Sequence, residues 1–444
     1  MGGAEISLHG TASEGPADIE AQQAADSIDG GVAVPRRVSW AKTLKTEGGE
    51  VKHRLGFLAG APRLSTRPEA EMSGPRARML GLINGFKALG WQVDSFVAGD
   101  HLPRSWQKPG SSSRLSRTGF FGKLCADIFR MGVGIVSSLY CWCRMRRRVD
   151  CVYEYAAVLQ SLGWIFKLSG ITWVLQVEAV LFREAKEDRK TLLLAGLAKR
   201  IEVWSYRQCD IIVCVSETLK ALLVKEFSVP AEKIVVVPNG VDTEFLNPER
   251  HAPRKLFDDF TVGFVGSLYE WAGLDVLLAA IAELRGEGAK LAVVIVGGGE
   301  KKAEWEALVG VLGLEACVRM LGQVDWREVP AYIAGFDVGY SGQLPLRQGE
   351  MYLSPMKLYE YMAMARPVLA AAHEDARRLV QEGETGFLFV AGDKKDLKRA
   401  LRNAIESRSR LAEMGRRARS EIVARHTWVA RVEALTNRLN QMAI

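Results

Sequence analysis

The sequence predicts an α/β protein made of two Rossmann-like, doubly wound domains that face each other across a cleft. Three observations predict it. Short apolar runs ending in glycine recur along the chain: RLGFLAG at Arg54–Gly60, TVGFVG at Thr261–Gly266 and LAVVIVGGG at Leu291–Gly299. Such runs, bounded by turn residues, read as strands buried on both faces of a parallel sheet. Helical patterns separate them, so the order strand, glycine loop, helix, strand opens near residue 54 and again near residue 261. Finally, 444 residues are enough for two domains with sizeable cores.

Residues 1–50 are rich in Ala, Gly, Ser and acid and lack the basic start and apolar run of a secretory signal. They read as a disordered leader or an over-extended translation start. The first domain is expected over 51–248. Arg54–Arg63 is its first buried strand. A polar loop with Ser73 and Gly74 follows, then a helix (ARMLGLINGFKALG) and the strand WQVDSFVAG. Arg76 and Arg78, where that helix begins, either touch an anionic group or are solvated. Residues 104–148 interleave bases with large apolar side chains, and Arg144, Arg146, Arg147 and Arg148 cluster beside Trp142. That pattern suits an element lying on an anionic membrane surface. The alternative is a loop and one core-packing helix with a solvated basic tail. VDCVYEY (Val149–Tyr155) and ITWVLQVEA (Ile171–Ala179) are further strands, and DIIVCVSETLKALL is a strand and helix with Ser216 near the helix start. VVVPNGVD (Val235–Asp242) is a strand ending in a Pro-Asn-Gly turn, ahead of a linker around Phe245–Lys255.

The second domain is expected over 255–424. It holds TVGFVGSLYEWAGLDVLLAAI (strand, loop, apolar helix), LAVVIVGGGE, and VRMLGQVDWREVPAYIAGFDVGY (strand, loop, short helix, strand). SPMKLYEYMAMARPV (Ser354–Val368) then starts a helix after a Ser-Pro turn. Pro355 suits a first helical position, where its missing N–H would have no partner. The helix start offers free N–H groups and a positive dipole end to a phosphate. Lys357 adds a charge about one turn from Glu360, whose carboxylate can accept from a sugar's paired hydroxyls. Phosphate site and diol acceptor on one short element read as a nucleotide site, an ordinary surface helix being the alternative. Residues 425–444 form an amphipathic terminal helix.

A net charge of +7 and a pI of about 9.0 favour anionic partners: a nucleotide diphosphate, a lipid phosphate, an acidic membrane face. No Cys/His finger or RNP-like strand is present, which argues against nucleic acid. The seven cysteines show no paired spacing, and Cys141-x-Cys143 is too tight for zinc, so reduced thiols and no metal site are expected. No run reaches the roughly twenty apolar residues a spanning helix needs. The expected location is cytoplasmic, at most peripheral on the inner membrane face.

From about residue 53 onward these segments, in this order, resemble a family 4 retaining glycosyltransferase of GT-B architecture. SPMKLYEY (Ser354–Tyr361) resembles the bacterial subset with a Ser-Pro-x-Lys-Leu-x-Glu-Tyr motif. The resemblance implies an acceptor-side first domain, a second domain that binds a nucleotide sugar, and a terminal helix crossing back to the first. It implies transfer of a sugar, with retention, from a UDP- or GDP-linked donor to a hydroxyl of a glycan or lipid-linked acceptor. Neither metal nor other cofactor is implied, and the setting would be polysaccharide or glycolipid biosynthesis. Glu360 would bind the ribose hydroxyls, and backbone around Gln323 and Val324 would face the base. Gly266, Ser267, Gly298, Gly299, Ser354, Lys357 and Leu358 would complete the donor site. The acceptor-side glycine loop maps to Ser73 and Gly74, with Arg76 nearby. A Glu-Val-Asn stretch that faces the cleft in the subset reads Gln176-Val177-Glu178 here. A shift of two residues keeps one face of a strand, so Glu178 is the acceptor-side candidate, or else a solvated strand-end Glu. Glu178 and Lys357 are the catalytic candidates.

The chain departs from the family pattern in three places, at four positions. Tyr352 stands where many members carry Glu, with Glu350 nearby but out of register. Ser267 and Ala272 stand where Arg and Lys usually meet the diphosphate, and Ala365 replaces the Gly before the Arg-Pro turn. Lys357, or Arg347 on the loop before the motif, would then serve the diphosphate. If neither does, the chain would be a catalytically impaired binding or scaffold protein.

Overall fold

The computed structural model describes residues 45–46, 49–50, 53–103, 115–345 and 351–442. Strands β1 (Lys45–Thr46) and β2 (Gly49–Glu50) pair as a small antiparallel ribbon inside the span expected to be a disordered leader. The remaining residues of 1–50 lie outside the described ones, as do 104–114, Arg347 and Glu350.

Two parallel six-stranded sheets carry the rest. The first holds β3 (Arg54–Ala59), β4 (Gln92–Val97), β5 (Cys151–Tyr155), β6 (Thr172–Val177), β7 (Ile211–Cys214) and β8 (Ile234–Val236), in the order β4-β3-β5-β6-β7-β8. The second holds β9 (Phe260–Val265), β10 (Leu291–Val296), β11 (Val318–Gly322), β12 (Val338–Ser341), β13 (Val368–Ala371) and β14 (Gly386–Phe389), in the order β11-β10-β9-β12-β13-β14. Parallel strands need crossovers, and the crossover helices cover both sheet faces. That is why the strands read as unbroken apolar runs. In β3, Leu55 and Phe57 pack with Trp428 and Leu435, while Leu58 joins Phe166 and Trp173 in a separate cluster. In the second domain Val262 and Phe264 pack under the Leu274–Gly286 helix, and Val294 and Val296 under the Met356–Ala363 helix. Each sheet reverses its strand order at one point, β3/β5 and β9/β12, and such a reversal opens a crevice at the strands' C-terminal ends.

Among the contacts that tie the domains together are a packed helix and a helix cap. The Trp428–Gln441 helix, capped by Thr427, packs on the Gly74–Ala88 helix of the first domain. Gly81 makes that possible, because a Cβ there would lie 2.3 Å from the Trp428 ring. Glu374 of the second domain caps the Glu217–Phe227 helix of the first. It accepts from the N–H groups of Glu217 (2.9 Å) and Thr218 (2.8 Å) and from the Thr218 hydroxyl (2.7 Å).

One expectation is overturned. The Phe120–Met145 helix has 26 residues and a mean hydropathy of 1.4 in its most apolar window, enough by length and composition to cross a membrane. Four of the bases of residues 104–148 (Arg144, Arg146, Arg147 and Arg148) gather at its C-terminal end, and four more precede the helix in the sequence. Between Phe121 and Cys143 the charged residues are Lys123, Asp127 and Arg130, so the apolar run was hidden by its flanks.

Candidate active-site cleft

A cleft of about 1470 Å³ is lined from both domains where the two crevices meet. Its second-domain wall includes Gly266, Ser267, Gly298, Gln323, Val324, Lys357 and Glu360. Its first-domain wall includes Ser73, Gly74, Arg78 and Glu178.

On the second-domain side, the motif helix spans Met356–Ala363. It begins one residue later than the sequence suggests: Pro355 is extended (φ −73, ψ 111) and occupies the N-cap position. The first N–H groups of the helix have no intrahelical partner. Lys357 is the second helical residue and is half-buried. Its Nζ lies 4.1 Å from the centroid of the Phe264 ring, and a Cβ on Gly266 would lie 3.4 Å from it. Among the described residues no carboxylate is within ion-pairing distance of Lys357. Burial pushes its ammonium down to about 8, against the pull of the nearby Glu360. Burial likewise lifts the Glu360 carboxyl above its ordinary range, and Lys357 draws it back. A cation and an anion thus share a poorly solvated wall without pairing, which leaves both open to a ligand.

The glycine loops set the distance between strand ends. Gly297 has φ +138, and a Cβ on it would stand 1.9 Å from the carbonyl oxygen of Gly266. Only glycine lets the β9 and β10 loops abut in this way. Gly298 lines the cleft. Gly299 does not: its close neighbour is Leu268, whose carbonyl oxygen would lie 2.4 Å from an added Cβ. Gln323 donates to Glu71 across the cleft (2.6 Å), a polar bridge between the domains.

Leu358 belongs to the scaffold, whereas Ser354 and Ser267 line the cleft. Leu358 points into the core, and its N–H is bonded to the Pro355 carbonyl (3.3 Å). Ser354 is buried. Its hydroxyl donates to Asp375 and accepts from the Asn239 N–H (3.1 Å), so it fastens the Pro-Asn-Gly turn to the motif. Ser267 is exposed in the cleft, whereas Ala272 packs in the core beside Leu268 and Leu274. The Gly266–Gly273 loop contains no basic residue. Tyr352 is buried among first-domain residues, and its carbonyl accepts from the Ser216 hydroxyl (2.6 Å). Ala365 takes a left-handed conformation (φ +53) that glycine adopts without strain.

On the first-domain side, both arginines at the helix start differ from the solvated reading. Arg76 is buried and holds the carbonyls of Ser65 (2.8 Å) and Arg67 (2.6 Å), so it braces the loop and does not line the cleft. Arg78 is buried too. Its Nε lies 2.8 Å from Glu178 Oε1, and its other nitrogens donate to Asn239 and to the Val237 carbonyl (3.1 Å). Glu178 follows directly after β6, with its side chain 24% exposed. Burial lifts its carboxyl above the ordinary range, and Arg78 pulls it back. Ser73 and Gly74 are exposed at the cleft. A Cβ on Gly74 would lie 3.6 Å from the Met356 sulfur, so the starts of two helices meet there.

Sequence reading missed Arg63 and Arg189. Arg63 lines the cleft, exposed to it, with no hydrogen bond or ion pair among the described residues. Arg189 also lines it, held by Glu184 (2.9 and 2.5 Å). The like charge of Arg189 pushes the Arg63 guanidinium down to about 10. The available signal was position: Arg63 lies just past the first strand, at the reversal point of the sheet. Among the described residues, no group of three or more His, Cys, Asp or Glu side chains could hold a metal ion.

The architecture is that of a GT-B glycosyltransferase. Residues 73–245 match the model for Glycosyltransferase Family 4, and residues 259–407 match that for Glycosyl transferases group 1. Together with the fold, these matches support a place among the family 4 glycosyltransferases. The chain is similar to the amylovoran biosynthesis glycosyltransferase AmsK of Erwinia amylovora, 28% identical over 38% of this chain and 41% of that protein. It is also similar to the putative colanic acid biosynthesis glycosyltransferase WcaL of Salmonella typhimurium, 30% identical over 43% of this chain and 47% of the relative. The match thus spans less than half the length of either. In structure, it resembles sucrose-phosphate synthase from Thermosynechococcus elongatus (TM-score 0.62, 15% identity, 88% of this chain and 99% of that one). It also resembles Anabaena HepE solved with UDP and glucose (TM-score 0.56, 17% identity, 88% and 100%). Identities this low speak for the fold.

Proposed function

We propose that the protein is a retaining, metal-independent glycosyltransferase that moves a sugar from a UDP- or GDP-linked donor to a hydroxyl of a glycan or lipid-linked acceptor. The setting is polysaccharide or glycolipid biosynthesis, in the cytoplasm. The observation that carries this reading is the placement of Lys357 and Glu360, unpaired, on one cleft-facing helix start beside Gly266. Glu360 accepts from the ribose diol. The diphosphate lies against the Lys357 ammonium and the free N–H groups at the helix start, which replace the absent bases at Ser267 and Ala272.

Chemistry follows from that placement. The bond from the anomeric carbon to the phosphate oxygen breaks, and the bond to the acceptor oxygen forms on the same face. The acceptor's proton passes to the leaving phosphate. Charge that grows on the diphosphate is met by groups already fixed in place, the usual largest electrostatic contribution to catalysis. Glu178, held by Arg78, orients the acceptor hydroxyl. The relatives named for amylovoran and colanic acid synthesis support the polysaccharide setting, and HepE solved with UDP supports the donor class.

A second reading, a glycosyltransferase-like binding protein without turnover, is favoured by one observation. Ala272 is packed into the core, so its loop offers the diphosphate no cation. Incubation with UDP- and GDP-sugars and a membrane lipid extract, with release of nucleotide as the readout, decides between them. Acceptor-dependent release supports the transferase. Tight donor binding with no release from any donor supports the second reading.

A further inference from the structure

The Phe120–Met145 helix is apolar on both sides: Cys141 and Met145 pack in the first-domain core, and several of its polar groups are turned inward as well. The side facing the protein carries Asp127, Ser137 and Ser138, all buried. Asp127 accepts from the N–H groups of Leu193 (2.8 Å) and Leu194 (2.9 Å), and the Ser138 hydroxyl donates to the Leu162 carbonyl (3.0 Å). The outer side is apolar: Phe121 is 78% exposed, Ile128 55%, Ile135 64%, Val136 68% and Leu139 49%. Their spacing puts them in one stripe. Leu168, 76% exposed on the Trp164–Leu168 helix packed beside it, widens the patch. A continuous apolar stripe of this kind marks a surface that is covered in use.

We propose that this stripe lies in the interfacial zone of an anionic lipid bilayer, with the helix parallel to the membrane plane. Charge selects the lipid. Asp127 is the single acidic residue between Phe120 and Arg148, and it is buried. The C-terminal end carries Arg144, Arg146, Arg147 and Arg148. Arg144 is paired with Asp94 and Arg146 stacks over Trp142 at 4.1 Å, while Arg147 and Arg148 are exposed, with no carboxylate partner among the described residues. An apolar face next to a basic cluster fits the boundary between acyl chains and anionic headgroups. The helix does not span, although its length and hydropathy allow it. Spanning would strip Asp127 and Ser138 of their bonds to the first domain and leave them in hydrocarbon.

The placement has a consequence for the cleft. Ala126, Phe129 and Arg130 of the same helix line it. Seating the stripe in the bilayer therefore holds the cleft mouth at headgroup level, where a lipid-borne acceptor arrives.

Co-sedimentation of the full chain with vesicles tests this. The vesicles are phosphatidylcholine alone or mixed with phosphatidylglycerol. The protein is expected to partition onto the mixed vesicles and little onto the neutral ones. Ile135→Glu with Leu139→Glu should weaken that partitioning at least about tenfold. Arg147→Gln with Arg148→Gln should weaken it on mixed vesicles only, an effect that added salt mimics. All these side chains are exposed, so circular dichroism and nucleotide binding should match the parent protein and exclude misfolding. Failure of wild type to bind mixed vesicles, or binding insensitive to the two glutamates, overturns the proposal. So does a wild-type dimer that Ile135→Glu converts to monomer, which would assign the stripe to a second copy of the chain. Vesicle binding needs no turnover, so its outcome is independent of the donor reading.

Discussion

Replacing Lys357 with methionine should strengthen the fold while weakening donor binding. Burial lowers the Lys357 pKa from 10.5 to about 8. At about 1.4 kcal/mol per unit, keeping the proton costs the folded state about 3 kcal/mol near neutral pH. The folded pKa lies below the unfolded one, so the unfolded chain holds the proton more tightly. The cost is therefore present in full below pH 8 and fades as pH rises toward 10.5. Methionine has a similar shape and no charge. Urea unfolding of the ligand-free variant should show a gain of about 1–3 kcal/mol at about pH 7, shrinking toward about pH 10. The same change removes a charge-assisted phosphate contact, so the Kd for UDP or GDP should rise by about 1.5–3 kcal/mol, roughly 10- to 150-fold. In the wild type, nucleotide affinity should hold steady below pH 8 and fall about tenfold per unit above it. A variant that is less stable at neutral pH, or that binds nucleotide as well as the parent, refutes the reasoning.

Further outcomes follow from the other walls of the cleft. Glu178→Gln keeps the shape but not the charge facing Arg78 and the acceptor; turnover should fall at least about tenfold, with nucleotide affinity unchanged by calorimetry. Arg63→Gln should raise the KM for a phosphate-bearing acceptor about tenfold and leave the donor KM alone, because Arg63 is a first-domain cation without a partner among the described residues. Gly81→Val drives a side chain into the Trp428 ring, so the urea midpoint should drop by the equivalent of about 1–3 kcal/mol.

The parts of this molecule that follow from local rules were legible in the sequence. Strands buried on both faces must be apolar throughout, so β3, β9 and β10 stood out, and glycine had to follow them where loops abut. The helix carrying Lys357 and Glu360 was visible from Pro355, though its start was off by one residue, because proline suits an N-cap as well as a first turn. What depended on distant partners was not legible. Arg76 and Arg78 look like any basic helix start until Ser65, Asn239 and Glu178 are brought beside them. Leu358 and Glu360 lie two residues apart, and only the packing of the helix on β10 decides that one faces the core and the other the cleft. Ser354 lines the cleft as the sequence suggests, but nothing in the sequence shows that Asp375 holds its hydroxyl. The Phe120–Met145 helix shows the same limit: periodicity reveals that it has two faces, and the hydrogen bonds of Asp127 reveal which one is inside.

Calorimetric titration with UDP, GDP and ADP, alongside a Glu360→Ala variant, is the most direct test of the proposed nucleotide site at Lys357 and Glu360. One nucleotide should bind with a Kd on the order of micromolar, and the variant should lose about 1–3 kcal/mol of that binding. A folded protein that binds none of the three, or a variant that binds as tightly as the parent, would contradict the account.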